Sequence, residues 1–348
     1  MEQKRPLIII TGPTASGKTA LSIELAKRIG GEIISADSMQ VYRHMDIGSA
    51  KVTEEEMDGV PHHLIDVLEP SEDFNVVKFQ SMAKKAMEEI YSHGHIPIVA
   101  GGTGFYIQAL LYDIDFTETD ESTEIRRELE QTAREKGPRA LHELLREVDP
   151  ESADAIHENN VKRVIRAIEF YRQTGRKISE HNREERQKFA PYEFLYYVID
   201  LPRPVLYSRI DERVSRMLEA GLVEEVKTLR DMGYTRDMVS MQGLGYKEIL
   251  DYLNGECSLD EAVYIIKRDT RHFAKRQITW FKRERDVRWL NLEAFGNDRE
   301  RMLKAVLDDC RRTFPHRQIR SADRKNADKK NADRKNEEGT EQDKGKIE

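Results

Sequence analysis

The chain has 348 residues and a formal net charge of −7, with 38% hydrophobic and 35% charged residues. This length allows one large or two ordinary domains, and no apolar run reaches the roughly eighteen residues of a membrane span. The polar residues 1–6 do not resemble a signal peptide, and two cysteines are too few for a zinc cluster or a disulfide framework. We therefore expect a cytoplasmic protein without a membrane partner.

The first third of the chain alternates apolar segments with amphipathic ones. Residues 7–10 are continuously apolar and β-branched, which predicts a buried parallel strand, followed by a glycine-containing loop and a helix over 18–29. Two more strands are predicted at 32–35 and 96–100, with a helix over 74–92 between them. This alternation predicts a doubly wound α/β core, a parallel sheet flanked by helices.

Helical patterns dominate from about residue 116, and the next strand pattern, at 192–200, could return to the same sheet. We predict an all-helical insertion at 116–190 within an α/β core that comprises 1–115 and 191–315. Further helices are predicted at 211–232 and 259–285.

A five-residue repeat, with the sequences ADRKN, ADKKN and ADRKN, fills residues 322–336. It has no apolar periodicity and cannot bury a core. We interpret residues 316–348 as a disordered tail; nonspecific tethering to RNA is the alternative role.

Charge is unevenly distributed, and its distribution matters more than its sum for a nucleic-acid partner. Residues 267–288 carry nine lysines and arginines against three acidic residues. We predict a helix there with a basic face for an RNA backbone and an apolar face that places Phe273, Trp280 and Phe281 in the core.

The segment GPTASGKT fits the phosphate-loop pattern G-x-x-x-x-G-K-[ST] and lies between a predicted strand and a predicted helix. Its backbone N–H groups and the helix N-terminus favour phosphate oxygens. Lys18 would add a positive charge, and the Thr19 hydroxyl is suited to Mg²⁺. An ordinary strand-to-helix turn is the alternative. The predicted diphosphate-binding residues are Gly12, Pro13, Thr14, Ala15, Ser16, Gly17, Lys18 and Thr19.

Two further loops follow predicted strands. Asp37 comes after the second strand, where ligands bind in open α/β sheets, and could be a general base, a supporting group for magnesium or a helix N-cap. Spacing alone favours the cap. The third strand runs into the small-residue turn of Gly101, Gly102, Thr103 and Gly104, which leaves room for a ligand.

The chain resembles the bacterial tRNA dimethylallyltransferase family, also called the IPP transferase family, over most of residues 7–290. Several of the matching segments are nearly unique to that family. They are GPTASGKTALS (12–22), SADSMQVYR (35–43), MDIGSAK (45–51), PHHLID (61–66), VAGGTGFYIQALL (99–111), VKRVIRAIE (161–169), QGLGYK (242–247) and KRDTRHFAKRQITWF (267–281).

The resemblance implies a P-loop-kinase-like core that binds dimethylallyl diphosphate and Mg²⁺, and a helical insertion that grips the anticodon stem-loop of tRNA. The exocyclic amine of the adenosine 3′ of the anticodon would be alkylated. By motif match, Asp37 would be the general base, Thr103 a residue at the reaction centre, and Arg213 a diphosphate contact alongside Lys18. We expect a monomer. The residues expected to contact tRNA are Asp37, Ser38, Met39, Gln40, Thr103, Lys162, Arg163, Arg166, Gln242, Gly243, Lys247, Arg271, Lys275 and Arg276.

Other functions fit parts of the pattern. An enzyme that prenylates free AMP, ADP or ATP would share the phosphate loop but would not need the arginine-bearing insertion. A kinase would need an acceptor site and usually an arginine-rich lid, which the insertion could mimic. A nonenzymatic RNA-binding protein would have no use for the phosphate loop.

Other side chains allow a structural interpretation. Adjacent histidines cannot both point at one metal from a regular element, so we interpret His62 and His63 as structural or supporting groups. Phe105 and Tyr106 could line the pocket for the base or pack in the core.

Overall fold

The computed structural model describes residues 4–116 and 124–315. Within them, six parallel strands form one sheet in the order β3-β2-β4-β1-β5-β6. This parallel sheet flanked by helices confirms the predicted α/β fold class. The strands are β1 Arg5–Thr11, β2 Gly31–Ser35, β3 His62–His63, β4 Ile96–Gly101, β5 Tyr192–Asp200 and β6 Val287–Asn291.

Thirteen α-helices connect and flank the strands within the described residues. In chain order they are α1 Lys18–Ile29, α2 Glu54–Met57, α3 Val76–Ser92, α4 Gly104–Leu111, α5 Glu124–Val148, α6 Pro150–Ala155, α7 Val161–Thr174, α8 Ile178–Gln187, α9 Arg203–Glu219, α10 Leu222–Asp231, α11 Tyr246–Leu253, α12 Leu259–Phe281 and α13 Arg299–Thr313. None of them has the length and apolar character that a membrane crossing needs.

The chain divides into two compact units, residues 111–191 and the remainder. The predicted insertion at 116–190 falls inside the smaller unit, and the predicted tail at 316–348 lies outside the described residues. The smaller unit has its own core, in which Leu129, Leu141 and Leu145 pack with Val164 and Ile168. Helix α5 is kinked at Gly137, where φ is 84°.

Two helix predictions were wrong. The helix predicted over 211–232 is split, because Gly221 adopts a left-handed conformation with φ of 100° between α9 and α10. The basic helix predicted to reach Arg288 ends at Phe281, and Asp286 with φ of 57° turns the chain into β6. Arg288 therefore lies on an edge strand paired with β5.

The sheet core positions the loops that follow the strands. Residues 7–10 of β1 are almost completely buried, and the burial of their apolar side chains stabilises the sheet. The Thr11 hydroxyl donates a hydrogen bond of 2.6 Å to the carbonyl oxygen of Gly101. Because this bond joins the carboxyl ends of β1 and β4, it fixes the two loops that leave those strands next to each other.

Candidate active site

The phosphate loop runs from β1 to α1 in a conformation that requires glycine. A Cβ on Gly12 would lie 2.7 Å from the Ile199 carbonyl oxygen, and φ there is 147°. Gly17 precedes α1 with φ of 94°. The Ser16 hydroxyl is buried and has no hydrogen-bond partner among the described residues. Together with the free N–H groups of the first helical turn, this hydroxyl is suited to an anion.

Two cations lie at this loop. Lys18 Nζ donates a hydrogen bond of 2.9 Å to the Pro13 carbonyl oxygen. Burial, followed by the charge of Arg213, lowers the pKa of Lys18 to about 8, while the Asp37 carboxylate opposes the shift. Nη1 of Arg213 lies 3.5 Å from Oγ1 of Thr14, and burial also lowers the pKa of Arg213. A bound diphosphate would relieve the repulsion between these cations.

Gln277 of α12 joins the phosphate loop to the glycine turn, and sequence reasoning missed it. Its Oε1 accepts a hydrogen bond of 2.9 Å from the Thr14 N–H, and its Nε2 donates one of 2.9 Å to the Gly102 carbonyl oxygen. A Cβ on Gly102 would lie 2.3 Å from that Nε2. The only sequence signal was the position of Gln277 inside the segment 267–281.

The loop after β2 meets the turn after β4. The Thr103 N–H donates a hydrogen bond of 3.2 Å to the Ala36 carbonyl oxygen, and a Cβ on Gly101 would lie 2.2 Å from that oxygen. Asp37 directly follows Ala36 in the chain, so it lies beside Thr103 at the carboxyl edge of the sheet. The structure therefore brings these two predicted reaction-centre residues together next to the phosphate loop.

Asp37 does not cap a helix. Its Oδ1 accepts hydrogen bonds from the N–H groups of Met39, at 2.8 Å, and Gln40, at 3.4 Å. Residues 38–41 form bends and a turn, so the helix-cap interpretation favoured by the spacing was wrong. These bonds orient the carboxylate through one oxygen and hold it partly exposed, as a group that accepts a proton from a substrate must be.

The predicted tRNA contacts in this loop have different surroundings. Ser38 is partly exposed. Met39 packs against Gly243, whose Cβ would lie 2.5 Å from the Met39 methyl carbon. The Gln40 amide donates to the Ala50 carbonyl oxygen at 3.1 Å and accepts from the Ser35 hydroxyl at 3.1 Å. Gln40 therefore supports the loop with the groups that could otherwise contact RNA.

The neighbouring segment 240–247 also carries predicted tRNA contacts. Gln242 is exposed and its amide donates to the Arg236 carbonyl oxygen. Lys247 lies 3.5 Å from a carboxylate oxygen of Glu248. Both side chains therefore have protein partners in addition to any RNA group.

Helix α12 presents a basic surface groove of about 380 Å³. Lys275 and Arg276 are exposed, and the Arg276 guanidinium lies 5.7 Å from the centre of the Phe273 ring. Arg271 forms an ion pair of 2.6 Å with Asp211. The groove is lined by His272, Lys275, Arg276, Thr279, Trp280 and Arg283.

The aromatic residues near the groove fall into two groups. Phe281 is fully buried, as predicted, whereas Phe273 and Trp280 are only partly buried. Tyr106 is 7% exposed and stacks on Phe79 with 4.7 Å between ring centres, so it belongs to the core. Phe105 is 41% exposed and meets the Trp280 ring edge-on at 6.1 Å. Phe105 is therefore only partly packed, and part of its ring is exposed.

The remaining predicted tRNA contacts lie in the smaller unit. Lys162 and Arg163 are exposed on α7 and Arg166 is partly buried. The opposite side of α7 buries Val164 and Ile168 in the core of that unit. This arrangement leaves the two exposed charges available to phosphate groups.

The central parallel sheet, the phosphate loop with its two cations, and a carboxylate on the adjoining loop place the protein among enzymes with a P-loop-kinase-like fold. The family model described as IPP transferase matches residues 40–284. The chain belongs to the IPP transferase family, which confirms the resemblance seen in its motifs.

Individual relatives agree with this assignment. The chain is 62% identical over 294 residues to a tRNA dimethylallyltransferase of Lachnoclostridium phytofermentans, covering 84% of this chain and 94% of the relative. A crystal structure of a tRNA isopentenylpyrophosphate transferase from Staphylococcus epidermidis is 44% identical, with a TM-score of 0.66, and the match covers 89% of this chain and all of that one. A eukaryotic dimethylallyltransferase acting on tRNA is 29% identical with a TM-score of 0.78, covering 91% of this chain and 81% of that one.

Proposed function

We propose that this protein transfers a dimethylallyl group from dimethylallyl diphosphate to the exocyclic amine of the adenosine 3′ of the anticodon in tRNA, releasing diphosphate. The observation that carries the proposal is the meeting of Lys18, Arg213 and Asp37 where β1, β2 and β4 end. Family membership and the names of the relatives support a prenyltransferase that acts on tRNA.

The leaving diphosphate is the first requirement. As the bond between the allylic carbon and the bridging oxygen breaks, negative charge builds on the diphosphate. Lys18, Arg213 and the backbone N–H groups of the phosphate loop would stabilise that charge, and the cations are already desolvated. Gln277 would hold the phosphate loop in a fixed position relative to the glycine turn.

The donor set suits Mg²⁺ bound together with a diphosphate. Thr19, in the exposed first turn of α1, offers a hydroxyl for such an ion. Mg²⁺ usually takes few protein ligands and completes its octahedron with phosphate oxygens and water. When bound, the ion would supply further neutralisation of the diphosphate charge.

The accepting amine is a poor nucleophile because its lone pair is delocalised into the adenine ring. Asp37 would orient the amine and take its proton as the new nitrogen–carbon bond forms, and Thr103 would help to place the amine. The base must leave its stack to reach these side chains, which costs least in a single-stranded loop. The exposed face of Phe105 would receive it.

The tRNA contacts would include the α12 groove of the larger unit and, separately, the basic residues of α7 in the smaller unit. Counterion release by these lysines and arginines would supply much of the affinity and make it depend on salt. We further propose that the protein acts in the cytoplasm as a monomer.

Two other activities are separated from this proposal by one experiment. Purified protein is incubated with radiolabelled dimethylallyl diphosphate and Mg²⁺ in parallel tubes that contain unmodified tRNA, AMP or ATP. We expect label in tRNA alone, at a single adenosine. Label in AMP or ATP would instead indicate an enzyme that prenylates free nucleotides, and consumption of ATP without label transfer would indicate a kinase.

A further inference from the structure

Four ionisable side chains meet where β2 and β4 begin, at the edge of the sheet opposite the phosphate loop. Glu32 of β2 is only 2% exposed. Its Oε1 lies 2.8 Å from Nδ1 of His93 and 2.7 Å from Nδ1 of His95, and its Oε2 lies 2.8 Å from Nε2 of His63. The proposed transfer chemistry has no role for this cluster.

The turn between α3 and β4 fixes the two histidines on either side of Gly94. The Gly94 N–H donates to the Tyr91 carbonyl oxygen at 2.9 Å, and the His95 N–H donates to that of Ile90 at 3.1 Å. Gly94 adopts a φ of 75°, which glycine allows at little cost. The backbone therefore holds both imidazoles toward the same carboxylate oxygen.

His62 does not join the cluster. Its Nδ1 is 2.8 Å from the Val60 carbonyl oxygen, in agreement with the expectation that adjacent histidines do not share one metal. His63, its neighbour on β3, contacts the second oxygen of Glu32. His63 thus forms a hydrogen bond with the carboxylate of Glu32, whereas His62 forms one with the backbone.

The three ligand atoms nearest to one another are a carboxylate oxygen of Glu32 and Nδ1 of His93 and His95, all within 4.8 Å. Two imidazole nitrogens and one carboxylate oxygen form a set that suits Zn²⁺ and similar transition metals. Ca²⁺ and Mg²⁺ prefer oxygen ligands only. The donor chemistry therefore discriminates against the ion expected at the phosphate loop.

We propose that Glu32, His93 and His95 bind one divalent transition metal ion of the zinc class, with His63 holding the second oxygen of Glu32. The ion replaces the two hydrogen bonds to Oε1, and each neutral imidazole then carries its proton on Nε2. Bracing of a ligating carboxylate by a neighbouring side chain is common around metals. Water takes the fourth position, and no bond is oxidised or reduced.

The ion can reach this position from solvent. The side chains of His93 and His95 are 47% and 44% exposed. His95 also borders a cavity of about 410 Å³ that is lined by Gly31, Pro61 and other residues at this edge of the sheet. Because both histidines are partly exposed, their replacement is expected to leave the fold intact.

The test measures metal binding and does not depend on prenyl transfer. Untagged full-length protein with Cys257→Ser, which removes a partly exposed thiol, is stripped of metal and titrated with Zn²⁺ by calorimetry in excess Mg²⁺. We expect one ion per chain with a Kd on the order of micromolar or tighter. Co²⁺ should give the absorption of a tetrahedral site.

Variants locate the site. His93→Asn with His95→Asn should weaken binding by roughly a hundredfold or more, and His63→Asn by about tenfold. His157→Asn, which changes an exposed histidine of the smaller unit, should change nothing. Absence of a saturable ion, or equal binding by the double variant and the His157 control, would overturn the proposal and leave three imidazoles that only form hydrogen bonds with a buried carboxylate. Circular dichroism establishes that each variant is folded.

Discussion

The backbone N–H of Thr14 donates a hydrogen bond of 2.9 Å to Oε1 of Gln277, which lies 263 residues further along the chain. This bond ties the phosphate loop to α12, the helix that also presents the basic groove. The amide of Gln277 reaches the glycine turn as well. One buried side chain therefore connects the phosphate loop, the glycine turn and the helix that presents the basic groove.

Gln277→Leu should disturb the positioning of both loops. It removes the acceptor for the Thr14 N–H and the donor to the Gly102 carbonyl oxygen, and the loss of one such contact to a reaction site costs on the order of a hundredfold in rate. We expect kcat to fall by that order and the KM for dimethylallyl diphosphate to rise severalfold. Gln131→Leu, an exposed change on α5, is the control, and equal kinetics for the two variants would exclude the positioning role.

Lys18→Met should make the ligand-free protein more stable while it reduces activity. Because the pKa of Lys18 is lowered to about 8 from 10.5, its charge destabilises the ligand-free fold below pH 8, and this cost disappears as the pH rises from about 8 to about 10.5. Without ligand, the variant should therefore unfold at a higher temperature at pH 7. Its free energy of unfolding should exceed that of the natural protein by a few kcal/mol at most. Lys304→Met on the surface of α13 is the control.

The same variant should lose its response to ligand. Diphosphate should raise the unfolding temperature of the natural protein because it compensates the charges of Lys18 and Arg213. It should raise that of Lys18→Met much less, and transfer should fall by about a hundredfold or more. A variant that remains stabilised by diphosphate would contradict the assigned contact.

Glu225 holds the loop of residues 46–48. Its carboxylate accepts hydrogen bonds from three successive backbone N–H groups, at 2.7 to 3.0 Å, and from the Tyr246 hydroxyl at 2.8 Å. Glu225→Gln replaces one acceptor oxygen by a donor, which leaves a partly buried N–H unpaired. We expect a loss of about 1–3 kcal/mol in the free energy of unfolding. Denaturant unfolding of Glu224→Gln, an exposed neighbour, should show little change.

Asp149 stabilises the smaller unit through hydrogen bonds from the N–H and hydroxyl groups of Ser152 and Ser179. Burial raises the pKa of Asp149, but these hydrogen bonds outweigh it and lower the pKa below its usual value. The stabilisation is therefore complete above the unfolded pKa of about 3.9 and is lost as the pH falls through the folded pKa. Asp149→Asn should cost about 1–3 kcal/mol at pH 7.

The pH dependence provides the control for Asp149. The difference in unfolding free energy between the natural protein and Asp149→Asn should shrink as the pH falls below 4. Asp154→Asn, which removes only an exposed ion pair with Arg146, should cost less than about 1 kcal/mol at any pH. A cost for Asp149→Asn that does not change with pH would indicate that packing, and not the charge, is responsible.

The parts of the fold that could be predicted are those whose signal is local. The strand at residues 7–10 is apolar on both faces, and the phosphate loop is a continuous motif between a strand and a helix. Strand β6 escaped prediction because it lies at the edge of the sheet and buries only Leu290 fully. Its basic neighbours looked like the continuation of a helical face.

The parts of the site that could not be predicted depend on contacts between distant residues. Gln277 resembled one more polar residue on a charged helix, and only the fold places it against Thr14. The cluster around Glu32 draws on residues at 32, 63, 93 and 95, a spacing that matches no metal-binding motif. The sequence placed Asp37 after the second strand, but its hydrogen bonds go to a turn and not to the start of a helix.

The most direct test of the account is the single-turnover rate of prenyl transfer by Asp37→Asn. Asparagine keeps the size of the side chain and the acceptor for the Met39 N–H, but it cannot take a proton from the amine. We expect a rate at least about a hundredfold lower, with binding of dimethylallyl diphosphate and tRNA changed by no more than a few fold. A rate equal to that of the natural protein would contradict the role of Asp37 as general base.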